Sequence, residues 1–471
     1  MSGAAVGTDH VELRSGAYAD SVTLLQVSRQ VQQLPGVATA QVAMATPLNL
    51  EVLERMGFVI PDDATVNHLV VAIRLTDDGA ADVVRAEVDR ALTDSRRQVA
   101  GSTELAPPRT TTAALRREPG ALVLVSVPGP SAAVEAMDAL ESGSDVMVFS
   151  DNVPVEQEVA LKRYAADRDL LVMGPDCGTA VIGGLGLGFA NVVAPGPVGI
   201  VAASGTGCQQ VLALLDHAGV GVTTAYGVGG RDLSAEVGGL ATRTALARLD
   251  ADPGVELAVL ISKPPADDVA RELTAYTESL GTPVRLALLG AGRPDLTEAT
   301  EELLRALGRD VPAWPVSGRT RSATGTRLHG LFVGGTMKQE AEVLVTAAGL
   351  LPERAELVDF GDDEYTTGRA HPMIDPSLRL ERLAEVAAED ATGVVLMDVV
   401  LGHGAEEDPA ASLAPAIEGI RPPVVITVVG TAHDPQGLDR QVAALAAAGA
   451  EVHLSNAGAT RRALEILGGS A

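Results

Sequence analysis

The sequence predicts an α/β protein of several domains, and three observations carry that expectation. From residue 121 onward, short apolar runs alternate with amphipathic stretches, the order that builds parallel sheets with right-handed crossovers. Aromatic residues are only 2% of the 471, so Val, Leu, Ile and Ala must fill the cores, as buried parallel strands prefer. One loop-to-helix phrase also occurs twice, as Gly199-Ile-Val-Ala-Ala-Ser-Gly-Thr206 and as Gly330-Leu-Phe-Val-Gly-Gly-Thr336. Gly205-Thr206 and Gly335-Thr336 keep the same register to the glycines that end their helices, Gly219 and Gly349. Duplicated domains are the expectation.

Residues 1–117 read as a small α+β domain. Ser21–Gln33 has helical period, Val37–Met44 alternates as a strand, and Leu48–Met56 is helical again. His68–Leu75 is a strand and Ala81–Leu92 a helix, followed by a polar, arginine-containing linker over 93–118. A second domain spans 118–195. Its strands are Ala121–Val127, Val146–Phe149 and Leu170–Met173, separated by helices over Ala132–Glu141 and Val155–Asp167. That order is Rossmann-like, but the first turn offers Pro128-Gly129-Pro130 in place of the G-x-G-x-x-G fingerprint. The two repeats occupy 196–320 and 325–471 and agree beyond their first turns. Pro283-Val-Arg-Leu-Ala-Leu-Leu-Gly290 echoes Pro423-Val-Val-Ile-Thr-Val-Val-Gly430.

Composition excludes several function classes. A net charge of −27 opposes a nucleic-acid partner, and no basic amphipathic helix offers a membrane surface. No apolar run reaches transmembrane length, and no basic stretch followed by an apolar one marks the N-terminus as a secretion signal. Two cysteines, Cys177 and Cys208, fit free thiols in a reducing cytoplasm, and no zinc-type spacing of His, Cys and acids is present.

Each repeated turn is built to hold an anion. Free backbone N–H groups and the positive end of the helix dipole converge there, with Ser204 and Thr206 in one copy and Gly335, Thr336 and Lys338 in the other. Plain helix capping uses the same residues, so the duplication is what points to a site between the copies. Only three of the 35 basic residues are lysine, and two of them, Lys263 and Lys338, stand at a strand end and in a first helical turn. The second repeat's middle strand ends in Leu401-Gly-His-Gly404, where His403 between two glycines is a candidate proton carrier. Gly229-Gly230-Arg231 is a candidate wrap for a bound acyl or pyrophosphate group.

Gly174-Pro-Asp-Cys-Gly178, Val198–Thr206 and Gly227-Val-Gly-Gly230 resemble the succinyl-CoA synthetase alpha subunit. The stretch from Val394-Val-Leu-Met-Asp398 through Gly430 to Ala457-Gly458-Ala459 resembles the carboxy-terminal domain of its beta subunit, and the fused order is similar to ADP-forming acyl-CoA synthetases. Over its full length, with Gly368-Arg-Ala-His-Pro-Met-Ile-Asp375 and Leu401-Gly-His-Gly-Ala-Glu-Glu-Asp-Pro409, the chain is similar to the FdrA family. The resemblance implies a CoA-binding Rossmann domain, with Pro128, Gly129, Ser131, Gly174, Pro175 and Asp176 near the cofactor, and two flavodoxin-like succinyl-CoA synthetase domains. It also implies a phosphoryl group flanked by the helix starts after Ser204 and after Gly402.

The departures from that pattern shape the expected chemistry. The stretch that carries a phosphohistidine in the synthetases, here Leu288-Leu-Gly-Ala-Gly-Arg-Pro-Asp295, has no histidine, and its supporting acid is missing near Ser262-Lys263. No segment remains for an ATP-grasp domain, so no ATP site and no required cofactor are expected, with CoA implied only by the resemblance. Members similar to FdrA are associated with oxamate carbamoyltransferase, working with a companion subunit. On that reading Ser204, Gly205, Thr206, Gly402 and Gly404 hold the phosphate of carbamoyl phosphate, with Gly335, Thr336 and Lys338 as further anion-binding residues, Lys263 as a catalytic residue and Arg293 beside the substrate. Arg369 or Lys338 takes the oxamate carboxylate, and His403 or His371 manages the amine proton. The alternative is an acyl-CoA ligase subunit in an oligomer whose partner supplies ATP-grasp, and a third reading is a non-catalytic CoA-binding scaffold.

Overall fold

The computed structural model describes residues 8–17, 19, 21–76, 81–98, 108–319, 321–366 and 369–468. The chain divides into two compact units, Met1–Pro107 with Asp362–Asp375, and Pro108–Gly361 with Pro376–Ala471. The first therefore takes in a segment that the sequence reading gave to the second repeat. Gly368 of that segment, and residues 99–107 of the expected linker, lie outside the described residues.

The N-terminal unit runs β1 (Thr8–Ser15), α1 (Ser21–Gln32), β2 (Val37–Met44), α2 (Pro47–Arg55), β3 (His68–Leu75) and α3 (Ala81–Gln98). Its antiparallel sheet has the order β1-β3-β2. The central strand is buried on both faces. Leu69, Val71 and Ile73 pack with Leu24, Val27 and Val31 of α1 and Val88 of α3, while Val70 and Ala72 pack with Leu53 and Phe58 on the α2 side. The sequence reading missed β1. Only Val11 and Leu13 of this edge strand join a core, and Arg14 instead pairs with Asp89 at 2.6 Å. Charge on an edge strand blunts it against stray pairing and also hides it from a hydrophobic pattern search.

The second unit opens with α4 (Thr111–Leu115), β4 (Val123–Val125), α5 (Gly129–Glu141), β5 (Val146–Val148), α6 (Val155–Ala166) and β6 (Val172–Met173). These give the expected alternation and a parallel sheet of order β4-β5-β6. A hairpin follows, β7 (Thr179–Ile182) and β8 (Leu185–Gly188), which the sequence reading did not foresee.

The first repeat comprises β9 (Val198–Ala203), α7 (Gly205–His217), β10 (Val222–Gly227), α8 (Leu240–Ala251), β11 (Leu257–Ser262), α9 (Asp267–Thr277), β12 (Val284–Leu288), α10 (Leu296–Ala306) and the short β13 (Val316–Ser317). The second comprises β14 (Arg327–Phe332), α11 (Gly335–Ala347), β15 (Ala355–Asp359), α13 (Ser377–Ala388), β16 (Thr392–Val400), α14 (Pro409–Ile417), β17 (Val424–Val429), α15 (Leu438–Ala447), β18 (Glu451–His453) and α16 (Asn456–Ile466). Helix α12 (Asp363–Thr366) belongs to the N-terminal unit's inserted segment. The parallel strands run β12-β11-β9-β10 in one sheet and β18-β17-β16-β14-β15 in the other. Counted within each repeat the order is the flavodoxin-like 2-1-3-4, continued to a fifth strand in the second, so the duplication is one of topology as well as sequence. Each switch point lies between the repeat's first and third strands, where α7 and α11 begin. No helix among the described residues is long and apolar enough to cross a membrane.

One buried cation ties the small parallel sheet to the first repeat. Lys162 on α6 donates to Glu158 Oε1 at 2.7 Å, Asp232 Oδ1 at 2.7 Å and the Val228 carbonyl at 2.8 Å, and the three charged side chains are at most 1% exposed. Asp232 also accepts from the Thr242 amide and hydroxyl at the start of α8. Removing one member of such a network leaves unpaired buried charge. Lys162→Ala is expected to cost about 3–5 kcal/mol, read from the urea midpoint. A loss below about 1 kcal/mol would mean that the carboxylates find other partners or take up protons.

Candidate functional site

The two repeated turns meet, and they meet through their hydroxyls. Ser204 is the N-cap of α7, accepting from the Gly207 amide at 2.9 Å, and its Oγ is hydrogen-bonded to Thr336 Oγ1 at 2.5 Å. Glycine makes that approach possible: a Cβ on Gly207 would stand 2.5 Å from Ser204 Oγ and 3.0 Å from Thr336 Cγ2. Helix α11 has Gly334 at its N-cap and no side-chain cap, so no capping side chain accepts from its first-turn N–H groups. Two positive helix ends thus converge where the strand order reverses, the place where open α/β sheets take their ligands.

Two polar groups at this junction have no partner among the described residues. Thr206 is 7% exposed, and its Oγ1 lies 2.9 Å from where a Cβ on Gly334 would stand. Lys263, at the end of β11, has its Nζ 3.0 Å from the equivalent point on Gly335. Asp359 Oδ2 lies 2.6 Å from that same point, so only glycine fits there.

Acids behind the turn hold it in shape. Asp398 accepts from the Val333 and Gly334 amides at 2.8 and 2.9 Å, and Arg379 donates to its carboxylate and carbonyl. Burial pushes the Asp398 carboxyl up to about 6, against the pull of Arg379. One turn along α11, Glu340 accepts from the Leu296 amide and from Asn456 Nδ2, each at 2.7 Å. Burial, reinforced by Asp295, pushes its carboxyl up to about 7. The sequence reading gave neither acid a role. Asp398 had a visible signal, an acid inside the apolar strand Val394–Val400, where charge is admitted only with partners.

The expected pairing of Ser204–Thr206 with Gly402–Gly404 needs correction. The Gly402 amide donates to Gln436 Oε1 at 3.0 Å and the His403 amide to the Ala190 carbonyl at 2.8 Å, so both are already committed. Ala190 and Asn191 fill the turn, with Asn191 Nδ2 donating to the Leu401 carbonyl and to Asp434. A Cβ on Gly404 would meet the Gly188 carbonyl at 3.1 Å. The next helix, α14, is capped by Asp408, an acid where an anion would have to sit. His403 itself is exposed.

Other expected residues are occupied elsewhere. Lys338 is paired with Glu342 at 2.6 Å along its own helix, and Arg231 with Glu158 at 3.0 Å and the Val153 carbonyl at 2.7 Å. Arg293 lines an open groove of ≈ 840 Å³ with Asp267, Arg271 and Glu278. Arg369 and His371 belong to the N-terminal unit, where Arg369 faces Asp375 at 3.6 Å. His371 Nδ1 accepts from the Met373 amide, and burial pushes its imidazole down to about 4. Cys208 is fully buried and its thiol is raised by burial, opposite to what a helix N-terminus alone would do.

The residues implied for CoA come together in part. A Cβ on Gly229 would stand 2.4 Å from the Pro175 carbonyl, so Gly229-Gly230 packs against Gly174-Pro175-Asp176. At the other turn, Pro128 precedes α5 and Ser131 is exposed. A Cβ on Gly129 would meet the carbonyls of Asp151 and Asn152 at 2.3 and 2.5 Å, so backbone covers the face a ligand would approach.

Residues 331–466 match a family model described as CoA-ligase, and residues 7–108 match one described as the AllF heavy metal-associated domain. The chain is 34% identical to a protein described as uncharacterized protein YahF of Escherichia coli, over 93% of this chain and 95% of that one. It is 30% identical to the succinate–CoA ligase [ADP-forming] alpha subunit of Methanothermobacter thermautotrophicus, over 36% of this chain and 58% of the subunit. Malate–CoA ligase subunit alpha of Methylorubrum extorquens is 26% identical over 35% and 57%. The dinucleotide-forming acetyl-coenzyme A synthetase 1 of Ca. Korarchaeum cryptofilum aligns over 74% of this chain and 84% of its own, at 15% identity and a TM-score of 0.30, a likeness too slight to bear on function.

Glu340 supplies a pH test of this core. An acid whose folded pKa is raised keeps its proton longer in the folded chain than in the unfolded one, so its contribution falls as pH rises from 4.5 to about 7. Glu340→Gln removes that titration. Over the same window its stability relative to wild type should rise by about 3 kcal/mol, measured by urea denaturation at a series of pH values. Parallel curves would show that Glu340 titrates as an ordinary carboxyl.

Proposed function

This chain belongs to the family of YahF, and on that premise we propose that it is an FdrA-type carbamoyltransferase subunit, exchanging carbamoyl phosphate and oxamate with oxalurate and phosphate. The observation that carries the reading is the pair of abutting helix starts, with the Thr206 hydroxyl and the Lys263 ammonium both unpartnered beside them. Such a site holds a phosphate or acyl phosphate. The lack of a histidine in residues 288–295 supports chemistry without a phosphohistidine.

In carbamoyl transfer the amide nitrogen of oxamate attacks the carbonyl carbon of carbamoyl phosphate. The new C–N bond forms as the C–O bond to phosphate breaks, the nitrogen loses a proton, and phosphate departs with the electron pair. The first-turn N–H groups of α7 and α11 would bind the phosphate oxygens, and Lys263 would offset the charge that grows on the leaving group. The proton acceptor in this reading is His403. CoA need not be bound in this reaction.

A second reading is favoured by the CoA-ligase match and by relatives that are alpha subunits of succinate–CoA and malate–CoA ligases. Here the chain would be one subunit of an ADP-forming ligase, with Gly174–Asp176 and Gly229-Gly230 toward CoA and a companion supplying ATP-grasp. Two assays separate the readings, each run on the chain alone and with any companion subunit that co-purifies. Oxalurate with phosphate or arsenate should yield oxamate in the first case. In the second, an organic acid with CoA and Mg-ATP should yield a thioester, and thioester formation without oxamate release would reverse the assignment.

Phosphate binding to the isolated chain tests the site itself, by calorimetry. Thr206→Val removes a hydroxyl at nearly constant volume and should weaken binding at least tenfold, about 1.5–3 kcal/mol for a hydrogen bond to a charged group. Lys263→Met should cost a similar factor and flatten the salt dependence. His403→Ala should leave affinity unchanged. Wild-type affinity in both Thr206→Val and Lys263→Met would move the anion elsewhere.

A further inference from the structure

We infer that the N-terminal unit, although it matches a heavy metal-associated domain, binds no heavy metal and instead seats the inserted segment Asp362–Asp375 of this same chain. Soft and borderline ions require thiolate or clustered imidazole ligands. Residues 7–108 contain no cysteine, and their only histidines are His10 and His68. Register pairs His10 with Ile73 and His68 with Ser15, five positions along the same β1–β3 ladder. That separation is roughly 17 Å, far beyond sharing one ion. His68 is engaged with Thr65 and with Ser15 Oγ at 3.0 Å, while His10 Nε2 is buried without a partner. The nearby acids are taken: Asp9 by Arg74, and Glu12 and Asp89 by Arg14. Among the described residues no group of three or more His, Cys, Asp or Glu could hold an ion. The chain's two thiols lie in the other unit, both buried and held protonated, Cys177 pushed up to about 12.

What this fold does carry is the segment itself. Arg29 of α1 donates to the Ile374 carbonyl at 3.1 Å. The segment closes as a turn in which the Ile374 and Asp375 amides donate to the His371 carbonyl, with Arg369 folded back toward Asp375. The domain therefore holds an excursion from the second repeat, and with it the Arg369-Ala-His371-Pro372 motif.

Two measurements on the full-length chain test the two halves of the inference. Buffered Cu(I) and Zn(II) titrations, read by competition with a chromophoric chelator, should show no stoichiometric ion retained. One equivalent retained and then lost on His10→Ala, His68→Ala or His371→Ala would overturn it. An equivalent insensitive to all three would lie outside this unit and uphold it. In hydrogen-exchange mass spectrometry, Arg29→Ala should raise exchange of the amides over 369–375 by tenfold or more, with α2 and β3 unchanged. Exchange in that segment equal to wild type would show that α1 does not seat it and would overturn the second half.

Discussion

The second unit is organised by a single close contact, the hydroxyl bridge between Ser204 and Thr336. It sets the N-termini of α7 and α11 against each other, so two helix dipoles present their positive ends to one small volume. Like ends brought together repel, and negative groups nearby offset that repulsion. The protein supplies part of the answer itself. Asp398 accepts the two amides that lead into α11, and Arg379 keeps that acid from being an unpaired buried charge. The first-turn N–H groups, Thr206 and Lys263 are left over, and they are the groups on which the proposed anion site rests.

Much of this architecture was legible because the signals were periodic or duplicated. The repeat of a glycine turn, a hydroxyl and an amphipathic run at constant spacing gave two domains of one topology, and the strand orders agree. Val37–Met44 stands where alternation places a strand, and His68–Leu75 is the strand that its apolar run predicts. The elements that escaped had no such signal. Strand β1 buries only two apolar side chains, and the β7–β8 hairpin is glycine-rich, with Gly183 and Gly184 turning between strands of four residues each. Short ladders of small residues leave almost no hydrophobic pattern to read.

The site was legible at the level of turns but not of partners. Sequence register identifies Gly205-Thr206 and Gly335-Thr336 as equivalent, and in the fold the two turns meet through Ser204 and Thr336. It says nothing of which other loop fills which space. Gly402–Gly404 carries the right residue types for an anion turn, yet Ala190 and Asn191 arrive from some 200 positions away, an approximate span read directly along the chain. Lys338 and Arg231 show the same limit from the electrostatic side. Each is an anion ligand by type and each has a carboxylate within 3.0 Å: Glu342, four residues on along the same helix, for Lys338, and Glu158, 73 positions away, for Arg231.

The asymmetry between the two repeats follows from these fillings. In the first repeat the turn after the first strand stays uncapped by protein beyond Ser204, and the third strand ends in a lysine with no partner. In the second repeat the third strand ends in a turn whose amides are consumed by Gln436 and Ala190, and the following helix start is closed by Asp408. This buried polar lock is costly to open, because the Gly402 and His403 amides and Asn191 Nδ2 are matched and each freed group must find water. The two repeats thus differ at these ends, and at the Ser204–Thr336 junction both contribute a helix N-terminus while the first contributes Lys263. If the proposed anion binds there it contacts both repeats at once, and its binding free energy is then also free energy of holding the two repeats together.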